Sequence, residues 1–289
     1  MKIALIFNKD RSDTTGMYIE RALRRTSHLV HHFWTQDADK IPPAYDLYLR
    51  IDHGDYKYDI PDHLRPSAFY AIDTHLDHPL SKIQEQARHY DFVFCAQKEG
   101  VAKLKSQANI QAQWIPVACD PEIHRPLRTP KRFDFGFVGT IGKRNKRLEY
   151  LDLIRTQYPQ SFIGRIASTR LSKIYARSKI GFNYSIANDI NMRMFEILAS
   201  GSFLMTNGIR DNGLEDLFET GKHLVTYRDK DEFLDLAKKY LTDESSRERI
   251  ALEGYRWTVA HHTYRNRVAK MLEIMRRGLL GRYSGLQMI

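Results

Sequence analysis

Several short stretches of the chain gather side chains that could bind or react. FYAIDTHLDH (69–78) sets Asp73, His75, Asp77 and His78 directly behind an apolar run. Carboxylates and imidazoles so arranged suit a metal site or an acid–base pair, and spacing leaves both open. RIDHGD (50–55) repeats the arrangement with Asp52 and His53. KRNKR (143–147) crowds cations at the start of a helical run. Cations oppose the positive end of a helix dipole, so the cluster fits an anion better than it fits the helix. In NDINMRMFEILASGSFLMTN (188–207), Arg193 and Glu196 lie three residues apart on one stripe. By spacing alone they read as a surface ion pair. Met192, Phe195, Leu198 and Ala199 form the expected buried side. Asn188 and Asp189 are capping types, so the helix should begin near Ile190 or Asn191, and Gly201 should end it.

These stretches sit between regular elements. KIALIFN, HLVHHFW, DLYLRID, SAFYAID, DFVFCA and AQWIPVA are rich in β-branched and aromatic residues and read as strands. TGMYIERALRR, SKIQEQARHY and EGVAKLKSQ read as the helices between them. PVACDPEIHRPLRTPKR carries the densest cluster of prolines and reads as a crossing between domains. A second alternating series follows, and helices at about 230–242, 245–256 and 258–278 close the chain. Strand–helix alternation of this kind predicts parallel sheets covered by helices. Ligands of such sheets bind beyond the carboxyl ends of the strands.

Composition narrows the classes. The chain has 289 residues, enough for one large domain or two medium ones. No apolar run nears the roughly 20 residues that span a bilayer, and MKIALIFNKD reads as a buried first strand rather than a leader. Cys95 and Cys119 are the only cysteines, which suggests a reducing compartment without disulfides. The net charge of +10 favours anionic partners. No known nucleic-acid motif accompanies it, so no nucleic acid is expected. Patterns of the GxSxG, HExxH and P-loop kinds are absent.

Three stretches carry a family resemblance. WIPVACDPEIHRP (114–126) resembles the interdomain signature of GT-B-fold glycosyltransferases. FDFGFVGT with KRNKR (133–147) resembles the first strand and phosphate-side loop of their donor domain, and NDINMRMFEILASGSFLMTN with GLEDLFETGKHLVTY (213–227) resembles its donor-binding core. The chain looks nearest to the CgeB-like, spore-maturation-type group, and more distantly like the retaining nucleotide-sugar transferases of group 1. The resemblance implies an α/β GT-B fold: two Rossmann-like domains facing across a cleft. The expected division is 1–120 (acceptor side), a linker at 121–132, a donor domain at 133–260, and a C-terminal helix at 261–289 packing toward the N-terminal domain.

It also implies roles. Glu196 would accept hydrogen bonds from the donor ribose. Arg144, with Lys146 or Arg147, would meet the diphosphate, and Gly139 would let the loop approach it. Asn188, Asn191 and Arg193 would complete the donor site, with Asn188 standing where the retaining family often has an acid. Asp73, His75 and Arg144 are the catalytic candidates. Gly16, Asp52 and His53 are the acceptor-side ones. The Asp-x-Asp pairs Asp37/Asp39 and Asp229/Asp231 lie in polar loops and read as chance. The expectation is therefore a metal-independent transferase with no cofactor. It would move a sugar from a nucleoside-diphosphate donor to a surface glycan, glycolipid or protein acceptor, with retention of configuration. It is expected in the cytoplasm, with peripheral contact to anionic membrane through the basic last helix as an option. The competing readings are a non-catalytic GT-B scaffold and a same-fold nucleotide-sugar epimerase.

Overall fold

The computed structural model describes residues 1–143 and 145–285, with side chains through Leu280. The chain divides into two compact units, residues 1–116 with 264–289, and residues 117–263.

The first unit holds β1 (Lys2–Ile6), α1 (Thr15–Arg24), β2 (Leu29–Phe33), β3 (Leu47–Ile51), β4 (Ser67–Ala71), α2 (Asp77–Gln86), β5 (Phe92–Cys95), α3 (Lys98–Ala108) and β6 (Ala112–Trp114). All strand pairs are parallel, in the order β2-β1-β3-β4-β5-β6. The β3 and β4 segments are buried at every position, as parallel strands covered on both faces must be. Ile6, Tyr48, Phe69, Val93 and Leu104 lie in the core beneath the helices.

The last long helix returns to this unit. It runs Tyr264–Gly285, and Tyr264 stacks on Tyr18 of α1 at 5.3 Å. Arg267, nearly buried, donates from Nε to the Pro116 carbonyl at 2.8 Å. Met271 and Met275 are buried beside it.

The second unit holds β7 (Phe133–Val138), α4 (Lys146–Gln157), β8 (Phe162–Gly164), α5 (Ser168–Arg177), β9 (Ser178–Asn183), α6 (Met192–Ala199), β10 (Phe203–Asn207), α7 (Leu214–Leu217), β11 (Val225–Tyr227), α8 (Lys230–Thr242) and α9 (Glu244–His261). The long helix that follows, Tyr264–Gly285, is α10. Strand order is β11-β10-β9-β7-β8, again all parallel. Phe135, Phe182, Tyr150, Tyr227 and Phe233 interlock in one aromatic core. The chain leaves β7 to one side for β8 and returns to its other side for β9. That reversal opens a crevice beyond the carboxyl ends of β7 and β9.

The helix expected to begin at residue 190 or 191 begins at Met192, and Asn191 is its cap. Its burial also differs from the expected stripe. Met192 is only half-buried, whereas Met194 and Ile197 are fully buried with Phe195, Leu198 and Ala199. A helix packed between β9, β10 and α9 has apolar neighbours on more than one side. Both cysteines are buried, and they form no disulfide among the described residues. Among the described residues, no helix is long and apolar enough to cross a membrane.

Candidate active site

Arginines from separate elements meet at the crevice of β7 and β9. β7 ends at Val138, and the next residue, Gly139, has φ +146°. Only glycine adopts that region readily. A Cβ there would also collide with Nη2 of Arg193. Arg193 projects from the first turn of α6 and lies 4.5 Å over the Phe137 ring. Its Nε donates to the Val138 carbonyl at 2.8 Å and its Nη1 to Asn183 Oδ1 at 2.9 Å. Asn183 is itself fully buried and donates to Thr206 Oγ1.

The expected Arg193–Glu196 ion pair is therefore corrected: the guanidinium bridges the ends of two strands. Spacing along one helix cannot reveal partners on the sheet. Gly139 makes room for that guanidinium.

Arg147 comes to the same place from α4. It donates from Nε to the Tyr184 carbonyl and from Nη1 to the Thr140 carbonyl, both at 3.0 Å. Burial first, then repulsion by Arg193, pushes its pKa down to about 10, with Asp189 opposing. It stays charged at neutral pH. Lys146, one residue earlier, is exposed. Of the two, Arg147 is the one turned into the crevice. Arg144 lies outside the described residues. Arg165 adds a further guanidinium, donating to Thr140 Oγ1 at 2.7 Å.

The segment between β9 and α6 is held by two asparagines. Asn207 accepts from the Ser185 amide at 2.7 Å and donates to the Ser185 carbonyl at 3.1 Å. Asn188 does the converse, donating to the Arg210 carbonyl at 2.7 Å and accepting from its amide at 2.9 Å. Asn212 Nδ2 adds a bond to the Asn188 carbonyl at 2.7 Å. Asn188 has φ +55°, the left-handed region asparagine tolerates. The side chains of Asn188 and Asp189 thus do not cap α6. Asp189 accepts from Ser185 Oγ at 2.7 Å instead.

The true cap, Asn191, makes no side-chain capping bond. Its amide nitrogen and oxygen are both shielded from solvent and find no partner among the described residues. An orphaned buried amide costs about 1–3 kcal/mol.

Glu196, in the second turn of α6, is 8% exposed and has Oε1 3.8 Å from Nε2 of the fully buried His124. The Asp120 amide donates to His124 Nδ1, which places the ring proton on Nε2, toward Glu196. His124, Asn183 and Asn207 escaped the sequence reading. A polar residue ending an apolar strand, as Asn183 and Asn207 do, was the available signal.

In the first unit, the carboxyl ends of β3 and β4 gather the other candidates. Asp52 is 3% exposed. Its Oδ1 accepts from the Gly54 amide, and its Oδ2 accepts from the amides of Ile72 and Asp73 at 3.0 and 3.2 Å. Those bonds make Asp52 a bracket between two strand ends. His53 is pushed down to about 4, by burial and then by Arg50, and is neutral at physiological pH. Asp73 and His75 share the turn between β4 and α2 and are half-buried. His75 Nδ1 is buried without a hydrogen bond among the described residues. Gly16 is buried in α1, where a Cβ would run into the Phe7 ring. Close packing against that ring calls for a glycine.

Sequence comparison decides the family. A family model described as "Glycosyl transferase-like" matches residues 121–273, more than half of the chain. The chain belongs to this glycosyl transferase-like family. A comparison with curated protein sequences finds no match. Among solved structures, this member of the family is similar to Anabaena HepE in complex with UDP and glucose. The TM-score is 0.72 at 12% identity, covering 96% of this chain and 100% of that one. An alpha-glucosyltransferase in complex with UDP-glucose and DNA containing an abasic site gives 0.72 at 10% identity, over 96% and 100%. Sucrose-phosphate synthase from Thermosynechococcus elongatus gives 0.67 at 10% identity, over 97% and 99%. At such identities the likeness concerns the fold, which is GT-B: two Rossmann-like α/β domains.

Proposed function

We propose that the protein is a glycosyltransferase that takes a UDP-sugar as donor, with the diphosphate at the crevice of the second unit. The observation that carries this reading is the pair of arginines, Arg193 and Arg147, fixed over Phe137 at the ends of β7 and β9. Their mutual repulsion is a standing invitation to an anion. Asn191 offers an amide with no partner among the described residues at the adjoining helix end. Bound UDP and UDP-glucose in the similar HepE and alpha-glucosyltransferase structures support the same donor class.

In this reading the sugar–phosphate bond breaks with its electrons passing to the phosphate oxygen, while an acceptor hydroxyl oxygen bonds to the anomeric carbon and gives its proton to the leaving phosphate. Arg193 and Arg147 stabilise that charge from positions set before the reaction. Asn191 orients the donor, and Glu196 accepts from the ribose hydroxyls. Retention of configuration, the CgeB-like grouping and a glycan, glycolipid or protein acceptor belong to the same proposal. So do catalytic roles for Asp73 and His75.

The test is calorimetric titration of UDP and a panel of UDP-sugars, followed by measurement of slow donor hydrolysis. Arg147→Ala should weaken UDP by about 10–100-fold, the loss of one charge-assisted contact or two. Lys146→Ala should change it less than about twofold. Since guanidinium groups neutralise the phosphates, EDTA should leave the affinity unchanged. No binding of UDP or any UDP-sugar at millimolar concentration would refute the donor assignment. Binding with neither hydrolysis nor transfer would favour the non-catalytic scaffold.

A further inference from the structure

The second unit has a cavity of about 400 Å³ on the face opposite the crevice. Lys179 and Phe203 place it at the amino ends of β9 and β10. α9 supplies one wall through Arg247, Glu248, Ala251, Leu252 and Tyr255, which recur on one helical face. Pro126 and Lys131 supply the other, and Gly201, the turn that ends α6, lies at the back. Three cations face one carboxylate. A volume of this size suits a small molecule.

The cations retain bonding capacity. An ammonium has three N–H donors. Lys131 Nζ uses one on the Ser178 carbonyl at 2.9 Å, and among the described residues no carboxylate lies within ion-pair distance of it. Lys179 Nζ uses one on Asp134 Oδ1 at 2.8 Å. Arg247, 3% exposed, is held by the Tyr240 carbonyl and lies 3.7 Å from Glu244. It is the fixed charge of the wall, while the two lysines can turn toward a ligand. Beside the charges lie Phe203, Ala251 and Leu252, with Leu252 46% exposed at the mouth.

We propose that this cavity is a second binding site, for a small organic phosphate. Lys131 and Lys179 hold the phosphate group, and the apolar part rests against Phe203, Ala251 and Leu252. The site is separate from the donor crevice and does not depend on the donor assignment, since its residues come from the amino ends of the strands.

Phenyl phosphate and inorganic phosphate serve as probes in titrations of the full-length protein. Phenyl phosphate is expected to saturate one site in the presence of saturating UDP, with a dissociation constant near or below about 1 mM. Inorganic phosphate should bind about tenfold more weakly, lacking the buried ring. Lys131→Gln should weaken phenyl phosphate by about tenfold or more. Leu252→Glu places a carboxylate at the exposed mouth with little risk to folding, and should weaken it similarly. Displacement by UDP would overturn the proposal, because the phosphate would then occupy the crevice. Equal affinity for the two probes, or unchanged binding in both variants, would overturn it as well.

Discussion

A methyl group on Gly139 would have to share space with the guanidinium of Arg193. That guanidinium cannot easily step aside, since Val138 and Asn183 hold two of its nitrogens. The backbone at φ +146° adds its own penalty for any side chain. Gly139→Ala should therefore lose about 1–3 kcal/mol of stability in urea unfolding. UDP affinity should fall with it if the arginine is displaced.

The residue types at this site were legible in the sequence: KRNKR, Arg193 and Glu196 all stood out. Their partners were not. An i,i+3 rule describes an isolated helix, whereas Arg193 answers to the ends of β7 and β9. Tertiary contacts likewise turned Asp52 into a backbone bracket, which no spacing along RIDHGD could show.

At the scale of elements, the segment between β9 and α6 is tied to the one after β10 by reciprocal asparagine bonds. Asn188→Gly tests the tie, because glycine keeps the left-handed backbone and removes only the amide. The expected loss is about 1–3 kcal/mol. The Arg210 amide, which donates to Asn188 Oδ1, should exchange its hydrogen faster, as read by mass spectrometry or NMR. Unchanged exchange at Arg210 would mean that the tie does not restrain the loop.

Strands and helices were legible because their composition and periodicity are strong, down to short runs such as SFLMTN. The start of α6 was less so. Asn188, Asp189 and Asn191 are all capping types within four residues. Only the left-handed turn at Asn188 and the Asp189–Ser185 bond decide that Asn191 serves.

At the scale of the molecule, stability should depend on pH through groups whose ionisation folding alters. Burial and Arg50 lower the His53 pKa to about 4, from an ordinary 6.5. The unfolded chain thus binds the proton more readily between those values. His53 favours the fold above pH 6.5, and its contribution is lost as pH falls toward 4. Burial lowers His32 and His223 in the same direction. Glu20 and Asp55, lowered by their hydrogen bonds despite burial, add to the acid loss below them. Asp59, raised by burial, opposes it. His53→Asn should flatten the decline of melting temperature between about pH 6.5 and 4 relative to the parent. An identical slope in the variant would show that His53 titrates normally. The parallel α/β class was legible from alternation along the chain. The order of strands within each sheet was not, because it is set by which side of β1 or β7 each crossover returns to.

The asparagine tie has a bearing on chemical ageing. Asn207 and Asn212 are each followed by glycine, and asparagine is among the thermolabile residues. Deamidation at such a pair needs the following amide nitrogen to reach the side-chain carbonyl. In the fold, the Gly208 amide donates to the Tyr227 carbonyl at 3.0 Å, and the Asn207 carboxamide is held by Ser185. Asn212 is fully buried, with its amide on the Asn188 carbonyl. The same bonds that shape the loop thus shield it from decay. Once converted, Asn207→Asp would set a carboxylate against the Ser185 carbonyl it formerly donated to. Damage acquired while unfolded would then persist as a loop that no longer closes.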